Sequence, residues 1–292
     1  MPPAPPAAQS ERRHGVIVNL CPTGMVPDRS MTPHVPLTPA EVGRDVTACV
    51  ALGANIAHIH ARDENGVPHY SRDIYARQIA GIRESNPELT ICVSLSGRNF
   101  GELEQRADPL CLRGELRPDM GSLTLASLNF PGQASINAPD TVRRLAESMG
   151  ERGIRPELEV FDVGMVNYAR YLISKGALRP PYYFNILLGN VASAQATPAQ
   201  LAAILSALPE DSIWSLAGIG RQQLTANTLG LLFGDGVRVG IEDNIWYDDE
   251  RTQLASNCQL VERVVRLAAT LGRRPATPGE VRARLGILPL DP

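Results

Sequence analysis

Short runs of β-branched and other apolar residues alternate along the chain with longer segments whose apolar positions recur at helical spacing. Eight runs have the length and composition of strands, and a helical pattern follows each of them. At Thr38-Pro39 and Thr197-Pro198, a capping threonine precedes a proline suited to the first helical turn. The predicted strands are residues 16–20, 55–60, 90–95, 120–125, 157–161, 182–187, 213–216 and 237–241, and the predicted helices are about 38–52, 71–85, 100–107, 138–152, 163–175, 197–207, 220–233 and 250–271.

Eight successive strand–helix pairs predict a (β/α)8 TIM barrel built as a single domain. The alternative, an open doubly wound sheet, often carries a GxGxxG first turn, whereas the first turn here reads NLCPTGM. No break in composition divides the chain. We expect residues 1–15, which are rich in proline and alanine, to form a mobile tail. Residues 16–292 would form the barrel domain, with a short helical extension near Thr277 that packs on the barrel or on another subunit.

The composition is that of a globular protein, since 43% of the 292 residues are hydrophobic and 20% are charged. The 28 Lys and Arg against 31 Asp and Glu give a net charge of −3, which argues against nucleic acid or an anionic membrane as the main partner. No apolar run predicts a membrane span or a signal peptide. The five cysteines are scattered without a CxxC pair, so we expect a cytoplasmic protein with reduced thiols.

A histidine pair ends the second predicted strand, at the edge of the barrel where TIM-barrel sites lie. His58 and His60 are two residues apart and therefore face the same side of the strand, into the barrel mouth. Two neutral imidazoles form a common half-site for a divalent metal, with zinc as the default ion. The alternatives are two hydrogen-bonded structural histidines, or a general base and its helper.

The eighth predicted strand continues this pattern with the segment VRVGIEDN. Its apolar positions suit the helix-facing side, so Arg238, Gly240 and Glu242 share the inward face. Strands 2 and 8 both flank strand 1 in a closed barrel and lie roughly 10 Å apart, a gap that the side chains can span. Glu242 would then complete a His2Glu metal site with one open position. The alternative is an ion pair between Arg238 and Glu242 inside the barrel.

Asp243 directly follows the candidate metal ligand Glu242. We expect its side chain to turn outward at the rim of the barrel, into the loop layer. A carboxylate beside a bound cation and Arg238 should stay ionised, which suits a general base that removes a proton from an activated carbon. The alternative is an aspartate that only caps a helix or braces a loop.

Hydroxyl and amide groups after the third and fourth strands could bind a substrate carboxylate. Ser94 and Ser96 share a face, and Gly97 adds an exposed backbone N–H, although hydroxyls at strand ends are often structural. Ser127 and Asn129, in the segment ASLNFPG, could donate hydrogen bonds or simply form a turn.

Two acidic residues share one face of the fifth strand, where they need polar neighbours. Of these, Glu159 lies nearer the C-terminal end than Glu157 and is the better site candidate. Arg62 and Asp63 after the histidine pair fit loop bracing, and the turn GIGR at residues 218–221 could hold an anion or be only a tight loop.

Five segments of the chain resemble the β-keto acid cleavage enzyme family, over residues from about 16 to 284. They are NLCPTGMVPDRSMTPHVPLTP, AHIHARDENGVPHYS, PELEVFDVGM, LAGIGRQQ and VRVGIEDNIW. The resemblance implies a TIM-barrel catalytic domain with a divalent metal, usually zinc. It also implies an acetyl-CoA-dependent cleavage of a β-keto acid to acetoacetate and a new acyl-CoA, in a homo-oligomer such as a tetramer.

The resemblance also assigns roles by position. His58, His60 and Glu242 match the family's metal ligands, Asp243 its base, and Arg238 the arginine that works with that base. The carboxylate-binding turn of the family matches Ser96-Gly97, although SLSGR here departs from STGG and leaves open whether Ser94 or Ser96 binds. Ser127 matches a hydroxyl after strand 4, and Glu159 matches an acid on strand 5.

Two departures from the family bear on the substrate. A relative that acts on an ammonium-bearing substrate carries an acid after strand 1, whereas residues 21–25 here read CPTGM, so we expect no preference for a cationic substrate. Arg98 stands where glycine is frequent and would favour an anionic or polar tail. The rival functions are a metal-dependent aldolase or hydrolase that works without CoA, and a barrel that binds a ligand without catalysis.

Overall fold

The fold is known from a computed structural model that describes residues 15–289. Eight parallel strands close into a barrel, and the first strand pairs with both the second and the eighth. The barrel strands, numbered first to eighth below, are Ile17–Leu20, Ile56–Ile59, Thr90–Val93, Met120–Thr124, Arg155–Val160, Tyr182–Leu188, Ser212–Gly218 and Gly236–Val239. The TIM-barrel prediction is confirmed.

Helices follow the barrel strands and cover the outside of the barrel. Their capping residues are largely those that the sequence indicates: the Thr38 side chain accepts a hydrogen bond from the backbone N–H of Glu41, whose carboxylate accepts from the Thr38 N–H in return. The helices are Pro39–Leu52, Arg72–Ser85, Leu103–Ala107, Pro139–Glu151, Val163–Ser174, Pro198–Ala207, Gln223–Phe233, Asn257–Thr270 and Pro278–Leu285.

Helix boundaries differ from the prediction where local chemistry interrupts the pattern. The third helix, predicted at about residues 100–107, begins later, at Leu103 after its N-cap Glu102. It ends at Ala107 as predicted, and a 3-10 segment containing Pro109 follows it, because proline cannot donate the hydrogen bond that an α-helix needs. The helix predicted from residue 250 begins at Asn257, since Ser256 and Gln259 form the capping box that starts it.

Two small hairpins extend the loops at the C-terminal ends of the strands. Ala61–Arg62 pairs with Pro68–His69 after the second barrel strand, and Leu128–Asn129 pairs with Ala134–Ser135 after the fourth. These short antiparallel pairs hold long βα loops in fixed positions around the mouth of the barrel.

The opposite, N-terminal end of the barrel is closed by the last helix, Pro278–Leu285. Its residues Val281 and Leu285 pack in one buried cluster with Ile17, Ile56 and Met120 of the barrel strands. The extension predicted near Thr277 therefore packs on its own barrel. The predicted mobile tail lies outside the described residues except for Gly15, which is buried and accepts a hydrogen bond from Arg284.

Within residues 15–289, no helix combines the length and the apolar character that crossing a membrane would require.

Candidate active site

A cavity of about 680 Å³ opens at the C-terminal ends of the barrel strands, where TIM barrels carry their chemistry. Strand ends and the loops that follow them supply its walls. The predicted site residues that line the cavity are His58, His60, Ser94, Ser96, Glu159, Arg238, Glu242 and Asp243. Gly97, Ser127 and Asn129 lie outside its walls.

The two predicted imidazoles meet each other and a carboxylate at the base of the cavity. His58 Nε2 lies 3.2 Å from His60 Nε2, and His60 Nε2 lies 3.1 Å from Glu242 Oε1. On its other side, His58 Nδ1 lies 2.6 Å from Glu157 Oε2. That contact places the proton on Nδ1 and leaves the lone pair of His58 Nε2 facing its neighbours.

This donor set fits a divalent metal. One ligand atom from each of the two histidines and Glu242 can be chosen so that all three lie within 4.8 Å of one another. Glu242 Oε2 is buried and has no hydrogen-bond partner among the described residues. Three carboxylates, of Glu159, Glu242 and Asp243, surround the single guanidinium of Arg238, so a bound divalent cation would offset the excess negative charge. Two imidazoles and one carboxylate form a recurrent zinc ligand set.

Arg238 joins the carboxylates of the site. It is buried and donates hydrogen bonds to Glu159 Oε1 at 3.0 Å, Glu242 Oε1 at 2.7 Å and Asp243 Oδ2 at 3.0 Å. The ion pair between Arg238 and Glu242 is therefore present, and Glu242 also contacts His60. The two interpretations of Glu242 from the sequence are compatible, because its carboxylate lies between the imidazole and the guanidinium.

The position of Asp243 differs from the prediction. Its side chain was expected to turn outward at the rim, but it is 7% exposed and is held by two nitrogens of Arg238. The strand ends at Val239, and Gly240, with a φ of 156°, approaches Cys21 so closely that a Cβ would lie 2.1 Å from the Cys21 carbonyl oxygen. The turn that follows brings both Glu242 and Asp243 into the mouth.

The two adjacent carboxylates differ in proton affinity. Burial raises the pKa of Asp243 above its ordinary value, and Arg238 opposes this shift. Burial acts on Glu242 in the same direction, but the contact with His60 and the charge of Arg238 outweigh it and hold the pKa of Glu242 well below its usual range. Asp243 is thus the more basic carboxylate, whereas Glu242 remains an anionic ligand; this difference suits a base beside a metal ligand.

The candidate carboxylate-binding turn lies along one wall. Ser94 and Ser96 both line the cavity, and the Ser96 Oγ accepts a hydrogen bond from the backbone N–H of Arg98 at 3.2 Å. Gly97 is buried behind them, and a Cβ there would lie 2.3 Å from the carbonyl oxygen of Ile136. The turn thus requires glycine for close backbone approach, and both serine hydroxyls remain candidates for binding.

Ser127 and Asn129 form local structure in the neighbouring loop. The Ser127 Oγ accepts a hydrogen bond from the Asn137 N–H at 2.8 Å, and the Asn129 carbonyl accepts from Asn190 Nδ2 at 2.9 Å. These contacts match the turn interpretation of the segment. Arg62 is likewise a brace, since it donates hydrogen bonds to backbone carbonyls of Gly24, Pro27 and Gly66.

The turn at residues 218–221 also supports the site. Gly220 lines the cavity, and its backbone N–H donates to the Asp243 carbonyl at 2.7 Å. That N–H is therefore engaged in holding the segment that carries the candidate base.

The sequence favoured Glu159 over Glu157 as a site residue and did not indicate Thr124. Glu157 accepts hydrogen bonds from His58 Nδ1 and from the side chains of Asn19 and Asn185, so it orients an imidazole of the candidate metal site. Thr124 lines the cavity and donates to Glu159 Oε2 at 2.6 Å. The sequence signal for both residues was that polar residues alternate along the inward faces of several strands. That pattern does not identify the partner of each residue, whereas the structure shows that Glu157 contacts His58.

Comparison with known proteins agrees with this geometry. The sequence profile described as beta-keto acid cleavage enzyme matches residues 15–287. The chain belongs to the β-keto acid cleavage enzyme family. The predicted resemblance is confirmed over nearly the whole of the described chain.

Two members of the β-keto acid cleavage enzyme family illustrate the similarity. A 3-keto-5-aminohexanoate cleavage enzyme of Fusobacterium nucleatum is 38% identical over 257 residues, covering 87% of this chain and 92% of the relative. A 3-oxoadipate:acetyl-CoA acetyltransferase of Cupriavidus necator is 34% identical over 275 residues, covering 93% of this chain and 94% of the relative.

A solved structure supports the fold. The apo structure of ObcA superposes with a TM-score of 0.78 at 20% identity, covering 87% of this chain and 66%, slightly less than two thirds, of the ObcA chain. At that identity the likeness concerns the barrel alone.

Proposed function

We propose that the protein transfers the acyl group of a β-keto acid to CoA in an acetyl-CoA-dependent reaction that releases acetoacetate. The observation that carries the proposal is the adjacency of His58, His60 and Glu242 to the Arg238–Asp243 pair in one cavity. The family membership and the name of the Cupriavidus necator relative, an acetyl-CoA acetyltransferase, support the same reaction class.

His58, His60 and Glu242 would hold a divalent metal, for which we propose zinc. When bound, the metal would attract electron density from the keto and carboxylate groups of the substrate and so make the carbon between them more acidic. Glu157 holds the proton on His58 Nδ1 and orients the ring, so that Nε2 is available as a ligand.

Asp243 would act as the general base. It lies next to Glu242 in the chain, lines the cavity and is held by Arg238 through two hydrogen bonds. Its raised pKa increases its affinity for the proton that it would take from the substrate carbon. Arg238 would orient this carboxylate and offset negative charge as the reaction proceeds.

The bond changes balance without a nucleophile from the protein. The substrate carbanion attacks the acetyl carbonyl of acetyl-CoA, and the CoA thiolate leaves. The thiolate then attacks the original keto carbon, and the bond between that carbon and C2 breaks. The products are a new acyl-CoA and, after C2 regains a proton, acetoacetate.

The remaining substrate contacts follow from the wall of the cavity. Ser94 or Ser96 would donate to the carboxylate of the β-keto acid, with the Ser96-Gly97 turn fixing the position of the hydroxyls. Met25 and Val26 also line the cavity with apolar side chains. This lining supports the expectation that a substrate with a cationic tail is not preferred.

Two further expectations belong to this proposal. We propose a homo-oligomer, in line with the family resemblance, and a cytoplasmic location. The five cysteines are free thiols, as a reducing compartment would keep them.

The test measures acetoacetate release from a panel of β-keto acids with and without acetyl-CoA, on zinc-loaded and on chelator-treated protein. We expect acetoacetate only when acetyl-CoA and metal are both present. Asp243→Asn should lower kcat by about 10²–10⁴-fold while the protein keeps its zinc, because it removes the base and leaves the ligands. If the protein binds zinc but consumes the β-keto acid at the same rate with and without acetyl-CoA, the proposal is contradicted and a metal-dependent aldolase or hydrolase is favoured.

A further inference from the structure

The cavity contains an arginine, Arg98, that lies within ion-pair distance of no carboxylate among the described residues 15–289. Arg98 lines the cavity, and its side chain forms no ion pair or hydrogen bond with the residues 15–289. Its Nε is buried without an acceptor in that range. By contrast, the three carboxylates of the site share the guanidinium of Arg238.

The guanidinium of Arg98 is nevertheless held in place. Its Cζ lies 3.6 Å from the ring centroid of Phe130, and Phe130 in turn meets Phe161 edge to face, with centroids 5.8 Å apart. The backbone N–H of Arg98 donates to Ser96 Oγ. Stacking on an aromatic ring occupies the flat face of a guanidinium and leaves its N–H edge available for an anion.

A partly buried arginine whose N–H groups have no acceptor is suited to bind an anionic ligand. Burial lowers the pKa of Arg98, while the charges of Glu242, Glu159 and Asp243 oppose that shift, and an arginine retains its charge in a protein. A half-buried guanidinium whose N–H groups donate to no acceptor has lost hydrogen bonds to water that the described residues do not replace. A planar carboxylate can accept two parallel hydrogen bonds from it.

We propose that Arg98 forms a second carboxylate subsite, so that the preferred substrates are dicarboxylic β-keto acids. The inference rests on the proposed function, in which the carboxylate next to the keto group binds at the metal and the serine turn. The carboxylate at the far end of the substrate would then pair with Arg98. Because the two carboxylate-binding sites lie in one cavity, they would select both the charge and the length of the substrate.

The experiment compares kcat/KM for 3-oxo dicarboxylates of five to seven carbons with kcat/KM for 3-oxo monocarboxylates of the same lengths. We expect the wild type to prefer one dicarboxylate by about 10–100-fold. Arg98→Gln should abolish that preference while leaving kcat/KM for the monocarboxylates nearly unchanged. Arg98→Lys keeps the charge but loses the planar fork, and should retain part of the preference.

Arg251 offers a matched control. It also lines the cavity but is exposed, and Arg251→Gln removes one positive charge from the same opening. This variant should keep the preference for the dicarboxylate. Equal loss of preference in both arginine variants would show a general effect of charge in the cavity and would overturn the assignment to Arg98.

A binding measurement separates this inference from catalysis. Calorimetry gives the dissociation constants of unreactive acids. The dicarboxylates from glutarate to pimelate should bind the wild type more tightly than the monocarboxylates from pentanoate to heptanoate, and Arg98→Gln should remove this difference in affinity. If Arg98→Gln weakens the binding of dicarboxylates and of monocarboxylates equally, Arg98 binds the carboxylate that all substrates share. A higher KM for acetyl-CoA with unchanged substrate preference would assign it to a CoA phosphate; either outcome overturns the proposal.

The experiments distinguish failure of the Arg98 subsite from failure of the proposed reaction. Release of acetoacetate from monocarboxylates with no preference for a second carboxylate would overturn only the inference about Arg98. Acetoacetate from no member of either series would instead contradict the proposed function.

Discussion

Glu157 orients His58, one of the proposed metal ligands. It is fully buried in the barrel and receives hydrogen bonds from His58, Asn19 and Asn185. Burial would raise its pKa, but the interaction with His58, including their hydrogen bond, and the charge of Arg238 outweigh that effect, so the pKa of Glu157 lies below its ordinary value. Glu157 is thus an ionised acceptor that fixes the proton of His58 on Nδ1.

Removing this charge should weaken metal binding. In Glu157→Gln an amide N–H or a weaker acceptor faces His58 Nδ1, so the ring loses its orientation and its preferred tautomer. We expect zinc affinity to fall by about 10–100-fold, measured by competition with a chromophoric chelator on folded protein. Glu88→Gln, at an exposed position, serves as the control. Zinc affinity equal to that of the wild type would contradict a positioning role for Glu157.

The residues of the site were predictable to different extents. Alternation along a strand was enough to place His58 and His60 on one face, because that inference needs only two neighbouring positions. The role of Glu157 depends on a contact with a residue 99 positions away in the chain. Spacing within one strand cannot reveal such a contact.

At the scale of elements, the first and the eighth helices of the barrel hold a half-buried carboxylate between them. Asp45, on the helix Pro39–Leu52, accepts a hydrogen bond from Asn257 Nδ2 at 2.7 Å, at the start of the helix Asn257–Thr270. The neighbouring thiols of Cys49 and Cys258 lie 3.7 Å apart and add no cation. Burial raises the pKa of Asp45 to about 6, and the Asn257 amide opposes the shift.

This carboxylate should make stability depend on pH. Its ordinary pKa is 3.8, so the folded state binds the proton more tightly than the unfolded chain does. The contribution of Asp45 to the free energy of unfolding is therefore favourable at low pH and is lost as the pH rises from about 4 to about 6. Asp45→Asn keeps an oxygen acceptor for Asn257 and should be about 1–3 kcal/mol more stable than the wild type above pH 6.

Urea unfolding across this pH range tests the effect, in a buffer series of constant ionic strength. Glu84→Gln removes an exposed carboxylate and should leave the pH dependence of the wild type intact. Parallel pH profiles for Asp45→Asn and the wild type would show that Asp45 does not titrate in this window.

The eighth strand ends two residues earlier than the alternating pattern predicts. The alternating pattern extended the strand to residue 241 and placed Glu242 on its inward face, whereas the strand ends at Val239. Glu242 still reaches the site, but through a turn, and the same turn carries Asp243 inward. The close approach of Gly240 to Cys21 causes this ending, and it is a tertiary contact that strand periodicity does not encode.

At the scale of the whole molecule, the repeated strand–helix pattern was sufficient to predict the closed barrel. Eight inward faces and eight amphipathic helices leave few other arrangements that bury the apolar residues. The final helix was foreseen from its Thr-Pro start, but its place under the barrel depends on the contacts of Val281 and Leu285 with barrel strands. Closing that end leaves the chemistry at the opposite end, where the cavity opens.

The central claim is that acetyl-CoA supplies two carbons of the acetoacetate released. Acetyl-CoA labelled with carbon-13 in both acetyl carbons tests it directly, with an unlabelled β-keto acid and zinc-loaded protein. We expect acetoacetate labelled at C3 and C4 only, together with an unlabelled new acyl-CoA, because C1 and C2 come from the β-keto acid. Unlabelled acetoacetate, or a label that stays in acetyl-CoA while the β-keto acid is consumed, would contradict it.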